Sequence, residues 1–260
     1  MAGLTINEWP CPVAADSAGE DVEDIGDEGR AFDGTLLTTL RATKTTLEIG
    51  TIPLAAATVA PLMALLRGDG HVWSFDDSTY FVYSSKGLNK TSGTGSSLAS
   101  GKFGRGMRLA AGATMTWSVG STTDWSIMVW RYNALTTTWI HWILCSDGTK
   151  YQNGASTGSS IAFLAFSSGT LTLGDSGSGS NQDFDGLVFL PAVVTSDMAA
   201  SFGAASTAFG LLPRLTIGGD LVLEGSRSVK GSGISTQPVQ GMDGGSFKVL
   251  RSVRALLVEV

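Results

Sequence analysis

The residues able to do chemistry are few and scattered in this sequence of 260 residues, which contains two histidines, His71 and His141, and two cysteines, Cys11 and Cys145. His141 and Cys145 share the run Trp139-Ile140-His141-Trp142-Ile143-Leu144-Cys145. Strand residues four apart are separated by about 13 Å, too far for a Cys-His dyad, and no Ser or carboxylate arrangement completes a triad. His141 therefore reads as a hydrogen-bonded core residue. The cysteines have no metal-ligand spacing; two buried free thiols and a bridge between them both remain open. Asp76, Asp77, Asp183 and Asp185, with Asp175, could supply oxygen ligands to calcium, the one cofactor the residues suggest, although acidic turn residues equally serve as caps. Trp117, Trp130 and Tyr132 could stack on sugar rings or pack a core. The loop Gly101-Lys102-Phe103-Gly104-Arg105-Gly106 has the glycines of a phosphate cradle but neither the following helix nor a Gly-Lys-Ser/Thr ending. No Glu lies between Gly70 and Phe202, so the carboxylate pair of a retaining glycosidase is not supported and a non-enzymatic role is expected.

The elements that must position these residues are strands. In the run from Trp139 to Cys145, Trp139, His141, Ile143 and Cys145 fall on one face and Ile140, Trp142 and Leu144 on the other. With neither face polar, the strand is expected to be central and covered on both sides. Trp125-Ser126-Ile127-Met128-Val129-Trp130 precedes it, and Asp147-Gly148 and Asn153-Gly154 supply tight reversals after it. Five of the seven tryptophans lie from Trp117 to Trp142, which places the densest core there. Thirty-four glycines, 15% charged residues and many Ser/Gly turns predict an all-β protein. One helix is expected in the stretch from Pro53 to Leu66, starting near Thr58 with Pro61 in its first turn or kinked there, and a short helical piece from Ser196 to Phe202. The acidic stretch from Asp16 to Arg30 reads as a solvated loop, or as an arm that orders against a neighbour. A net charge of -6 without a basic stripe argues against nucleic-acid binding. No apolar run is long enough for a spanning helix, and no secretory signal is read at the N-terminus.

Four motifs in order carry a family resemblance: Lys102 through Leu109; Asp124 through Trp130; Trp142 with Asp147-Gly148-Thr149 and Tyr151-Gln152-Asn153-Gly154; and Phe184-Asp185-Gly186-Leu187-Val188-Phe189 before a short helix. Residues 71–203 thereby resemble the laminin-G/concanavalin A-like lectin and glucanase superfamily. The resemblance implies a two-sheet jelly-roll sandwich whose loops or concave face bind glycans in some members, sometimes with calcium.

The flanks are also β-like, and the apolar run from Arg254 to Val260 would aggregate as an open edge, so it is expected to pair with the N-terminal segment. This gives a smaller β-rich base domain with one helix, residues 1–70 plus 204–260, into which the jelly roll of residues 71–203 is inserted. The flanking segments, Gly29 through Gly34 and Pro53-Leu54 with Leu62 to Leu66 before Trp73-Ser74-Phe75-Asp76, resemble virion structural proteins of tailed bacteriophages. That resemblance implies a tail-associated or head-decorating protein, assembled in the host cytoplasm and found in the virion. Its partners would be other virion proteins, copies of itself and, in the alternative adhesion reading, a host-surface glycan.

Overall fold

The computed structural model describes residues 3–14, 17, 19–30, 36–75, 82–84, 90–92, 95–209, 214–217, 225–243 and 246–260. The chain is all-β in class, with two helices among the described residues. It begins with β1 (Leu4–Ile6), β2 (Trp9–Pro10), β3 (Gly19–Arg30), β4 (Leu36–Gly50) and α1 (Ala56–Arg67). Then follow β5 (His71–Phe75), β6 (Val82–Ser84), β7 (Lys90–Ser92), β8 (Ser96–Ser100), β9 (Arg105–Leu109), β10 (Met115–Ser118), β11 (Ser126–Asn133) and β12 (Thr138–Cys145). The remainder comprises β13 (Lys150–Gln152), β14 (Ala155–Ser156), β15 (Leu164–Ser167), β16 (Thr170–Leu173), β17 (Gln182–Leu190), α2 (Ser196–Gly203), β18 (Arg214–Ile217), β19 (Gly225–Asp243) and β20 (Ser246–Glu259).

The central sheet runs β14-β13-β12-β11-β17-β5-β6, with β9 and then β8 alongside the first half of β17. Its strands alternate between two cores. Ile127, Val129, Phe184, Leu187 and Phe189 pack with Met115, Trp117, Leu171 and Leu173 of a four-stranded sheet ordered β15-β16-β10-β7. Met128, Ile143, Cys145, Val188 and Leu190 face the other way, into a core shared with α1, α2 and the terminal strands. The two apolar faces of β12 read from the sequence are thus covered by different layers. The reversals follow the turn residues, for Asn153 and Gly154 both adopt positive φ (49° and 81°) between β13 and β14.

The third sheet joins the two ends of the chain in the order β2-β1-β18-β19-β20-β4-β3. As expected, the apolar C-terminal strand is not an open edge: β20 pairs with β4 from Val258 opposite Thr46 to Arg254 opposite Gly50. The acidic stretch is corrected by the structure. Residues 19–30 form the edge strand β3, hydrogen-bonded along β4 from Gly19 opposite Glu48 to Arg30 opposite Leu36. Two features favour the strand over a loop: the threonines of β4 suit a pleated surface, and Glu23 stands opposite Lys44. Carboxylates on an edge also discourage unwanted pairing. The Ser-rich residues 96–100 are likewise a strand because β9 offers them a partner.

Helix α1 starts two residues before Thr58, so Pro61 lies past the first turn, where its missing N–H costs one helical bond. Tertiary packing decides the outcome: Val59, Leu62, Leu65 and Leu66 are buried in the core shared with the terminal strands. Gly68 ends the helix in the left-handed region (φ 63°), its N–H reaching the Leu65 carbonyl while Asp69 N–H reaches that of Ala64.

Candidate functional site

The loop with phosphate-cradle glycines binds an anion after all, and the anion is the chain's own. Asp185, on β17, is buried, and its carboxylate accepts the Phe103 N–H at 2.8 Å and the Gly186 N–H at 2.7 Å. Burial raises the Asp185 pKa, and backbone hydrogen bonds from Phe103, Gly186 and Lys102 oppose that rise. Glycine is required at two places in this loop. A Cβ on Gly106 would sit 2.7 Å from the Phe184 carbonyl oxygen, and one on Gly101 would collide with the Asp185 carboxylate. The Phe103 edge meets Trp130 at 5.7 Å, tying the Lys102–Leu109 motif to the other two strand motifs.

This knot corrects several expected ligand residues. Trp130 is 5% exposed and packed by Phe103, by the Lys102 ammonium at 4.9 Å and by His141 at 4.8 Å. Trp117 is 0% exposed in the core between the sheets. Neither indole offers a face to a sugar: alternation turns Trp117 into the core between the sheets, and the Phe103 loop and His141 cover Trp130. Asp185 is used up by backbone amides. Asp183 forms a two-pronged ion pair with Arg108 (2.6 and 2.7 Å), its cross-strand partner. Neither carboxylate is open to a metal, and no group of three His, Cys, Asp or Glu able to hold one occurs among the described residues. Asp76 and Asp77 lie outside them.

His141 is 1% exposed, and burial pushes its pKa down to about 3. It is a core residue as expected, but its Nδ1 finds no partner, which the sequence did not foretell. Both cysteines are free and buried, and burial pushes the Cys11 thiol up to about 12. Ser126 Oγ lies 3.3 Å from Cys145 Sγ, donates to the Ala192 carbonyl and accepts the Val194 N–H, which is a packing role.

The arrangement with unused chemistry is a groove of about 280 Å³ at the end of the β11–β12 hairpin. Its lining includes Arg131, Asn133, Ile140, Trp142, Asn181 and Gln182. Register explains why they meet. Arg131 lies opposite both Ile140 and Phe184, so Arg131, Ile140 and Trp142 continue the face that carries Ile127 and Val129. Tyr132 borders the groove, but its ring is paired with Trp139 at 5.5 Å, and alternation places that pair on the opposite face of the hairpin. The half-buried Arg131 guanidinium lies 4.4 Å from the Phe163 ring centre, and burial lowers its pKa against an opposing effect of Asp175. Gln182 is 2% exposed; its Nε2 donates to the Asp175 carbonyl at 3.3 Å, whereas its Oε1 has no partner. Sequence reasoning missed both residues. Arg131 was detectable as a charge continuing the apolar alternation Ile127, Val129, but Gln182, at the start of β17 after a Gly/Ser-rich stretch, carries no such pattern.

A larger cavity of about 420 Å³ lies between the β1–β2 turn and residues 205–209. The Glu8 carboxylate there is already engaged by Ser206 N–H and the Ser206 and Thr207 hydroxyls.

No protein-family model matches the chain, and no curated protein sequence matches it. Among solved structures, the binding domain of Paraclostridial Mosquitocidal Protein 1 is a distant neighbour. It has 9% identity and a TM-score of 0.40, over 70% of this chain and 73% of that one.

Proposed function

We propose that this protein is a non-enzymatic structural component of a tailed-phage particle, tail-associated or decorating the head, whose terminal strands form a docking base and whose residues 71–203 form a displayed unit. In this reading the central and four-stranded sheets are the two layers of a laminin-G/concanavalin A-like jelly roll. The observation that carries the proposal is the stagger in the sheet made by the chain ends. Among the described residues, β4 pairs with β20 only over residues 46–50, and β3 and β4 continue together past the end of β20 as a two-stranded arm. At ~3.3 Å per residue, the part of β4 ahead of that overlap is roughly 30 Å long. In the opposite direction β19 and β20 continue as a second arm to Asp243 opposite Ser246. Two-stranded ribbons are marginal in water and their open edges are templates for pairing, so arms of this kind suit a protein embedded among copies and partners. Val22, on the first arm, and Val249, on the second, are exposed apolar side chains that such contacts would cover. Immunogold electron microscopy with mass spectrometry of purified virions tests the proposal; absence of the protein from the particle rejects it.

The groove beside Arg131 favours a second reading, an adhesion module that contacts a host-surface glycan. The two readings are compatible, because the groove belongs to the displayed unit and the arms to the base.

A further inference from the structure

We propose that the groove at the end of the β11–β12 hairpin binds a carboxylate-bearing sugar, a hexuronate unit of an acidic glycan. The inference rests on the glycan-binding reading of that groove and is independent of the particle reading.

Its first support is an acceptor with nothing to accept. Gln182 is almost fully buried, its amide orientation is fixed by donation to the Asp175 carbonyl, and rotating the amide would set two carbonyl oxygens against each other. Its Oε1 therefore faces an unmet need for a donor. Leaving such an atom unpaired costs stability unless a ligand hydroxyl or water supplies the hydrogen.

The second support is a cation that no carboxylate touches, Asp175 acting on it only through space. The Arg131 guanidinium is half-buried against Phe163, and among the described residues it makes no hydrogen bond or ion pair. A planar fork of N–H donors matches a carboxylate in shape and charge, and partial desolvation strengthens that match. Strand register carries both groups into one groove, with Arg131 opposite Phe184 and Gln182 two residues before Phe184 on the same strand.

The remaining lining suits a hydroxylated ring. Asn133 and Asn181 carry amides that both donate and accept, and Trp142 is a half-buried indole wedged edge-to-face against Phe163 at 5.8 Å. A volume of about 280 Å³ suits one sugar ring and not a long buried chain. The open rim, where Leu135 is 96% exposed, leaves room for the rest of a polymer to continue outside.

The matched probes are D-glucuronate and D-glucose, which differ at C6, titrated into the full-length chain and followed by amide NMR. Glucuronate is expected to shift the signals of Arg131, Asn133 and Gln182 with at least tenfold higher affinity than glucose. Arg131→Gln should erase that preference, and Gln182→Leu should weaken both sugars, with signals of the opposite core face unchanged as the check on folding. Equal affinities for the two sugars would overturn the carboxylate assignment while leaving a glycan groove. No shift with either sugar at 50 mM, roughly the weak limit for a single ring, would overturn both the inference and the glycan reading. Neither outcome bears on whether the protein resides in a particle.

Discussion

At the residue scale, His141 couples the fold to pH. Its folded pKa of about 3 lies below the ordinary 6.5 because burial excludes the charged form. The unfolded chain therefore takes up a proton that the folded chain refuses. The associated stability is fully present above the unfolded pKa of 6.5 and is lost as pH falls toward the folded value. Each pH unit inside that window is worth up to about 1.4 kcal/mol. The melting temperature should thus fall between pH 6.5 and 4, and His141→Leu should flatten that fall by removing both the titrating ring and its orphan Nδ1. Parallel profiles for the two proteins would refute this role. Asp185 makes a separate prediction. Asp185→Asn would turn an NH₂ toward the Phe103 or Gly186 N–H, at a cost of about 1–3 kcal/mol in urea unfolding. Residue type alone marked His141 as core but could not reveal Asp185 as an anchor. Beside the Gly186 N–H of its own strand, the amide that holds it is that of Phe103, 82 residues away in sequence, and the pairing of β9 with β17 brings the two together.

At the scale of elements, close backbone approaches decide what the chain tolerates. Helix α2 packs onto the β13–β14 turn through two glycines: a Cβ on Gly154 would meet the Ala200 Cα at 2.6 Å, and one on Gly203 would meet the Gly154 N at 2.5 Å. At Gly106 the obstacles, the Phe184 carbonyl and Gly101, are likewise backbone and cannot rotate away. Gly106→Ala should destabilise by about 2–4 kcal/mol, whereas Gly179→Ala, with no atom within 4 Å of its Cβ, should stay within about 0.5 kcal/mol. Paired thermal melts compare them directly. Strand positions were legible in β11 and β12 because their apolar runs serve two apolar layers. Legibility failed for β3 and β8, whose polar sequences pair as backbone ribbons. Backbone hydrogen bonding leaves no side-chain period to read.

For the whole molecule, the ends of the chain were legible as partners because the apolar strand at residues 254–258 needed cover, and β4 supplies it. The opposed arms were not, since stagger depends on where pairing stops. The arms predict an uneven landscape of local opening. Amides of β3 should exchange with solvent orders of magnitude faster than those of β11 and β12 in the dilute chain, and should become protected on assembly into the particle proposed above. Hydrogen exchange on both forms measures this, and equal protection of β3 and β12 in the dilute protein would remove the physical case for assembly through the arms. The middle of the chain should be indifferent to that change. Its strands β5 and β17 are neighbours, with His71 opposite Phe189, and the core between its two sheets contains no residue of β3, β4, β19 or β20.

The same stagger has a mechanical meaning. If neighbours grip the two arms and pull them apart, the load passes along the strands through the five residue pairs that join β4 to β20 and the hydrogen bonds that follow them, Thr51 to Val253 and Leu54 to Arg251. Force parallel to antiparallel strands strains every hydrogen bond in the overlap together, whereas force across them would open the bonds one at a time. The joint would therefore resist stretching until the whole overlap slides.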